Sequence, residues 1–328
     1  MKYYIAAHQH IYPPEELYLE AHASTIEALP DGTLVAAWFG GTKEGNDDVA
    51  IWCSRYVNGR WEPQRKIADA EGVPCWNPVL FDAGDRLVLY YKAGKPIPRW
   101  QTFYAESRDG GLTWSRGREL VPDDIGGRGP VKNKCIRLSD GAILAPASIE
   151  TETSWDCFAD RSEDNGRTWT RSPFVPLDHS KLQGKGIIQP TLWENDAHLV
   201  HMYTRSTEGR IYHAVSGDMG RTFGPAAPIA LPNNNSGIDL TRLDDGRLLL
   251  VYNPVPGNWA VRTPICFTVS SDNGETWEKD QYLDHYPAEE KQRDSTFAYP
   301  AVIARGRNVY ITYTWKRQTI SFWHLVML

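Results

Sequence analysis

The chain has 328 residues, 41% of them hydrophobic and 23% charged, with a formal net charge of -6. This composition fits a soluble globular protein able to bury a large core, and the acidic balance disfavours nucleic acid and anionic membranes, which select clustered Lys and Arg. No run of 18 apolar residues occurs and the opening MKYYIAAHQHIYPPEE holds no signal-peptide-like stretch, so a cytoplasmic protein off the membrane is expected.

In chain order, six segments repeat one pattern of an alternating apolar run, a turn and a second apolar run. They are 24–39, 78–91, 134–148, 190–204, 238–253 and 300–314. Each predicts a hairpin, because the Val, Ile, Leu and Tyr content lacks helical spacing. Asp31-Gly32, Asp140-Gly141 and Asp245-Gly246 are strong hairpin turns, since Gly accepts the positive φ they need. A third strand, such as AIWCSR or ICFTVS, follows each hairpin.

That third strand runs into an octapeptide, Ser-x-Asp-x-Gly-x-Thr-Trp. It begins at Ser107, Ser162, Ser216 (with Phe223 last) and Ser270, and a worn copy begins at Ser54 and ends at Trp61. The spacing of about 54 residues divides the chain into six units and implies a modular array. Four strands per unit predict an all-β, six-bladed propeller of antiparallel strands forming one domain over 1–328. The last unit lacks the octapeptide, so its outer strand is expected from Met1 to Ala7. The octapeptide itself reads as structure, since one catalytic centre does not need four copies. Its Asp and Ser should bind backbone N–H groups while Trp packs between blades. Cys53, Cys75, Cys135, Cys157 and Cys266 lack CxxC spacing and predict buried free thiols in a reducing compartment.

Repeated on a propeller, this octapeptide resembles the Asp-box of sialidases. The resemblance implies a site on the propeller axis, with three arginines for a carboxylate, a Tyr nucleophile with a Glu partner, and an Asp acid/base. TRSTEGRIYHAVSGDMG places the second arginine at Arg205, and the stretch before ICFTVS places the third at Arg262. FAYPAVI places the nucleophile at Tyr299, and FGGTKEGNDDVAIWCSR places the acid/base at Asp48 or Asp47. Two positions depart from the pattern: His22 stands where the first arginine is expected, and Gln189 where the Glu is expected. Gln189 cannot take a phenol proton, whereas His22 can if it lies within reach of Tyr299.

Further polar residues are expected at the same mouth. Asn77, Gln189 and Tyr299 each precede a Pro that starts an inner strand, on alternate blades. Lys132, Asn133, Lys134, Asn235, Ser236 and Asp239 should point inward from blades three and five. Arg317 adds a further substrate-binding cation, and Trp76, Trp259 and Trp315 are candidate sugar platforms. His198 and His201 alternate on one strand and cannot share a metal. No metal or other cofactor is expected.

Three functions fit these residues. The first is an exo-glycoside hydrolase acting on a terminal sialic or uronic acid. The second is a polysaccharide lyase or related uronate enzyme using His22, Tyr299 and the arginines. The third is a glycan-binding propeller without turnover.

Overall fold

A computed structural model describes residues 1–14, 17–286 and 296–328. Strands form six antiparallel sheets arranged as the blades of a six-bladed propeller. Blade one comprises β2 (Glu20–Ala28), β3 (Leu34–Gly41), β4 (Ala50–Val57) and β5 (Arg60–Trp61), with β6 (Arg65–Ala68) also pairing with β4. Blade two runs from β7 (Cys75–Asp82) through β8 (Leu87–Ala93) and β9 (Gln101–Ser107) to β10 (Arg118–Glu119). Blade three holds β11 (Ile136–Arg137), β12 (Ile143–Glu150), β13 (Trp155–Ser162) and β14 (Thr170–Arg171). Blade four holds β15 (Ile187–Glu194), β16 (Val200–Ser206), β17 (Arg210–Ser216) and β18 (Ala227–Pro232). Blade five holds β19 (Asp239–Arg242), β20 (Leu248–Tyr252), β21 (Ile265–Ser270) and β22 (Gln281–Asp284). Blade six is β23 (Phe297–Arg305), β24 (Asn308–Trp315) and β25 (Thr319–Met327), completed by the N-terminal β1 (Tyr3–His10). The β1–β25 ladder runs from Tyr3 opposite Met327 to His10 opposite Ser321, three residues beyond the expected latch.

The core is not central. It consists of six apolar layers, one in each gap between adjacent blades. Leu80 and Leu89 face Val35 and Phe39 across the first gap, for example, and Ile303 and Phe322 face Ile26 and Trp38 where the ring closes. Because inner strands are covered on both faces, they read as nearly continuous apolar runs. The axis is left to polar side chains. All five cysteines are free and buried, and burial pushes the Cys53 and Cys75 thiols up to about 12.

The octapeptides are turn locks. Ser107 Oγ donates to Asp109 at 2.8 Å and accepts from the Gly111 N–H at 2.8 Å, while Asp109 accepts from the Thr113 N–H at 2.9 Å. The Ser-to-Gly bond recurs at Gly166, Gly220 and Gly274, and the Asp-to-Thr bond at Thr168, Thr222 and Thr276. The lock also ties blades together, since Tyr203 Oη of blade four donates to the Gly274 carbonyl of blade five at 3.2 Å.

Two groups of residues set a two-stage response to acid. The Thr113 hydroxyl and N–H hold Asp109 at about 2, and Thr276 does the same for Asp272. Carboxylates depressed in the folded state stabilise it above the unfolded value near 4 and lose that contribution between about 4 and 2. In blade four, His201 Nδ1 lies 3.0 Å from His213 Nε2, and burial lowers both rings to about 4. The unfolded chain takes up those protons first, so this stability is lost as pH falls from about 6.5 to 4. Thermal melting between pH 7 and 2 should show both stages. A His201→Gln/His213→Gln double variant should reduce the first, to which buried His22 also contributes, and keep the second.

Candidate active site

Each inner strand has a residue with left-handed φ near its start or just ahead of it. These are Ala23 (55°), Asn77 (44°), Lys132 (67°), Gln189 (52°), Asn235 (56°) and Tyr299 (54°), one from each blade. In blades one, two, four and six the register with the second strand shifts at this point, the mark of a bulge. A bulge turns a side chain out of the ladder, here towards the axis. Pro78, Pro190 and Pro300 follow three of these residues within the unpaired step, where the missing N–H costs no ladder bond. Positive φ is uncommon for Gln, Lys and Tyr, and such strain concentrates at functional positions.

These ends surround a cavity of about 170 Å³ lined by His22, Glu44, Trp76, Asn77, Ile97, Trp100, Glu150, Gln189, Arg205, Trp259, Arg262, Tyr299 and Arg317. Its volume equals that of about six waters, room for one sugar ring. Arg205 is the hub. It is buried, its Nη1 donates to Tyr299 Oη at 2.6 Å and to Gln189 Oε1 at 3.0 Å, and its Nε donates to Asn235 Oδ1 at 2.7 Å. Its guanidinium lies 5.5, 5.4 and 5.7 Å from the Trp155, Trp259 and Tyr299 rings. Arg262 lies 5.4 Å from the Tyr299 ring. Arg317 sits in the β24–β25 turn, bonded to Glu44. Lys316 (54°) and Arg317 (59°) both have left-handed φ, and Gln318 N–H bonds Trp315 O at 3.0 Å, making a type I′ turn without glycine.

His22 lies beside Tyr299 with ring centroids 4.2 Å apart and the ring planes tilted by 48°, and its Nδ1 lies 2.8 Å from Thr314 Oγ1. Burial lowers its pKa well below the usual value, and Arg317, Arg262, Arg205 and Lys132 reinforce this. The imidazole is therefore neutral near pH 7, and among the described residues its Nε2 has no hydrogen-bond partner. Tyr299 is packed from below: Lys132 Nζ lies 6.0 Å from its ring centroid, and a Cβ on Gly237 would meet Lys132 Cε at 2.9 Å and Tyr299 Cγ at 3.4 Å.

The cavity thus gathers Tyr299, His22, Gln189, Arg205, Arg262, Arg317 and Asn77, with Asn235 behind Arg205. Five expected residues, Asp48, Asp47, Lys134, Asp239 and Trp315, lie elsewhere. Asp48 accepts from the Thr42 N–H and Oγ at 2.8 and 2.9 Å, closing its own exposed loop, and Asp47 pairs with Lys95. That loop offers Glu44 to the cavity instead. Lys134 pairs with Asp239 at 2.9 Å, and Asp239 also accepts from Thr191 Oγ1 and the Val302 N–H. This pair stitches blades three, four, five and six, and Lys134 faces a separate funnel of about 780 Å³ lined by the far ends of the inner strands. Trp315 packs against His10 and Phe297 rather than in the cavity.

Four lining residues escaped the sequence analysis: Glu44, Glu150, Ile97 and Trp100. A signal existed for Glu150. It ends a second strand 12 residues before Ser162, much as Arg205 stands 11 residues before Ser216.

Known proteins agree with this architecture. The human protein Sialidase-4 is 29% identical over 144 residues, a match spanning 38% of this chain and 29% of that relative, so less than a third of its length is represented. Among solved structures, the Hadza microbial sialidase Hz136 superposes with a TM-score of 0.79 at 16% identity, covering 97% of this chain and 68% of that one. The Trypanosoma rangeli sialidase in complex with the inhibitor DANA gives 0.74 at 13% identity, covering 98% and 59%. A Dyadobacter fermentans protein of unknown function gives 0.78 at 17% identity over 99% of both chains. Residues 32–311 match the BNR repeat-like domain, and the chain belongs to that family as a sialidase-like propeller.

Proposed function

We propose that the protein is an exo-glycoside hydrolase that removes a terminal sialic or uronic acid. The observation that carries this is the joining of Tyr299 to a cationic cavity of single-sugar size. Arg205 donates to the Tyr299 oxygen, and Arg262 and Arg317 line the same space. Guanidinium groups bind carboxylates through charge-assisted, geometrically demanding hydrogen bonds. With the carboxylate so held, Tyr299 Oη attacks the anomeric carbon while the glycosidic C–O bond breaks and its electron pair stays with the departing oxygen. His22, whose ring adjoins that of Tyr299, takes the phenol proton on its free Nε2 once the bound sugar brings the two within reach, a task Gln189 cannot perform. Donors into the phenol oxygen favour the charge that develops on it. Trp259, which is 64% exposed, and Trp76 give the sugar apolar faces.

The test is turnover of 4-methylumbelliferyl sialic acid and a panel of uronic-acid glycosides. Tyr299→Phe should lower kcat by roughly 10^3, the nucleophile being lost while the cations stay. Full turnover by Tyr299→Phe would show that the site lies elsewhere.

A lyase reading draws on a specific observation, the neutral His22 beside Tyr299. There the imidazole would take the proton next to the uronate carboxylate and Tyr299 would protonate the leaving oxygen, yielding an ultraviolet-absorbing unsaturated uronate. An ultraviolet-absorbing product formed in step with the new reducing ends would favour it, since hydrolysis makes reducing ends alone.

The turn that carries Arg317 offers a second check. Arg317→Gly relieves one left-handed residue and should raise stability by about 1 kcal/mol. It should also raise KM by roughly tenfold or more through loss of one carboxylate arm. Unchanged KM would exclude Arg317 from binding.

A further inference from the structure

We propose that Glu150 is the general acid/base of this site, delivering its proton to the departing glycosidic oxygen from the wall opposite Tyr299. This role rests on the hydrolase proposal. Two carboxylates line the cavity, Glu44 and Glu150. Glu44 is engaged by Arg317. Among the described residues, no donor lies within hydrogen-bond distance of the Glu150 carboxylate, which leaves it uncommitted. Glu150 stands on blade three and Tyr299 on blade six, so a six-bladed ring puts them across the axis from each other. That is the arrangement a double displacement requires, with nucleophile and leaving-group acid on opposite sides of the anomeric carbon.

The position is built rather than incidental. Glu150 pairs with Trp155 at the end of the β12–β13 ladder, and Trp155 is one of the rings that flank Arg205. Two residues earlier, Ser148 Oγ accepts from the Gln189 N–H at 3.2 Å, which fixes the strand end beside the bulge of blade four. Gly127 closes over the same strand, where a Cβ would come within 2.7 Å of the Ser148 carbonyl. Burial raises the pKa of Glu150, Arg205, Lys185 and Lys92 pull it back, and Glu44 pushes it up. A carboxyl group whose pKa is raised is better matched to giving up a proton as an acid than an ordinary one. Asp48, by contrast, is spent on Thr42.

The step balances. In the first half, the Glu150 proton moves to the glycosidic oxygen as its bond to the anomeric carbon breaks, and Tyr299 Oη bonds to that carbon, giving up its proton to His22. In the second, the Glu150 carboxylate takes a proton from water, the hydroxide oxygen bonds to the anomeric carbon, and Tyr299 leaves and recovers its proton from His22.

Leaving-group dependence tests this. Wild type, Glu150→Gln, Glu150→Asp and Asp48→Asn are compared on 4-methylumbelliferyl sialic acid, whose phenol departs without help, and on sialyllactose, whose sugar hydroxyl does not. The same comparison is made with the matching aryl and disaccharide glucuronides. Glu150→Gln should lose roughly 10^2- to 10^4-fold on the disaccharides and far less in formation of the aryl product, and the alkaline limb of its pH profile should vanish. Glu150→Asp should recover part of the disaccharide activity with the limb restored; if the Gln variant does not fold, this variant's shifted alkaline limb carries the test. Equal losses on both leaving groups, no loss on either, or the same signature in Asp48→Asn instead, would overturn the assignment while leaving the hydrolase proposal standing. A wild type that turns over none of these substrates would overturn the hydrolase proposal and this role with it.

Discussion

Arg205→Met is expected to lower kcat/KM by about 10^4 while leaving the propeller folded. Two losses combine. The substrate carboxylate forfeits a charge-assisted arm, worth about 1.5–3 kcal/mol, and the Tyr299 oxygen forfeits a preorganised donor, worth about 2.7–4 kcal/mol in the transition state. Gln189 Oε1 and Asn235 Oδ1 also lose their donor, so Tyr299 and both amides are free to rearrange. Met keeps most of the volume between Trp155 and Trp259, which protects the fold. Arg205→Lys separates charge from shape. A lysine keeps the cation but cannot reach Tyr299, Gln189 and Asn235 at once, so it should recover only part of the loss, seen more in KM than in kcat. Wild-type kcat in either variant, measured beside a melting curve, would remove Arg205 from the chemistry.

The ring itself was legible because the octapeptide is a local device. Its Ser, Asp, Gly and Thr bond one another within seven residues, so their spacing carries the turn directly, and the hairpins follow from alternation and from Asp-Gly pairs. Tyr299, Gln189 and Asn77 were legible for a related reason: the Pro after each marks the bulge that aims it. Blade one has the same bulge without a Pro, and blades three and five carry their left-handed residue ahead of the inner strand, and there the sequence offers no sign of it. Lys132, Asn133 and Asn235 could therefore be expected inward only as a group, and Lys134 was grouped with them although it belongs to the far end of the channel. Depth along the axis depends on a one- or two-residue slip at the bulge, which periodicity does not record. Asp48 failed for a different reason. An Asp in a Gly-rich loop can bind its own backbone as readily as a ligand, and Thr42 takes it. Glu150 needed a comparison between blades, since nothing adjacent to it in sequence marks it out.

Lys132→Met is expected to destabilise the ring by about 2–4 kcal/mol, although it removes a buried charge. Lys132 is fully buried on the axis, and its Nζ donates to Asn133 Oδ1 at 2.8 Å, to Ile238 O at 2.9 Å and to Pro300 O. It thereby joins blades three, five and six at their inner edges. Replacing a buried ion pair by apolar residues is often harmless because both partners go together. Here the partners include backbone carbonyls, which stay behind unpaired whatever replaces the lysine. Burial lowers its pKa to about 7, with Asp239 raising it and Lys134 and Arg205 lowering it. The unfolded chain holds this proton up to about 10.5, so wild-type stability should rise with pH above about 7, and the variant should lose part of that slope. Lys92, buried and also lowered to about 7, keeps the rest. Because Pro300 follows Tyr299 directly, a loosened axis should reach the chemistry too, with kcat falling before the fold does. Chemical denaturation across pH 7 to 8.5 measures both effects. A variant as stable as wild type, with an unchanged slope, would mean that the axis is held by its interblade layers alone.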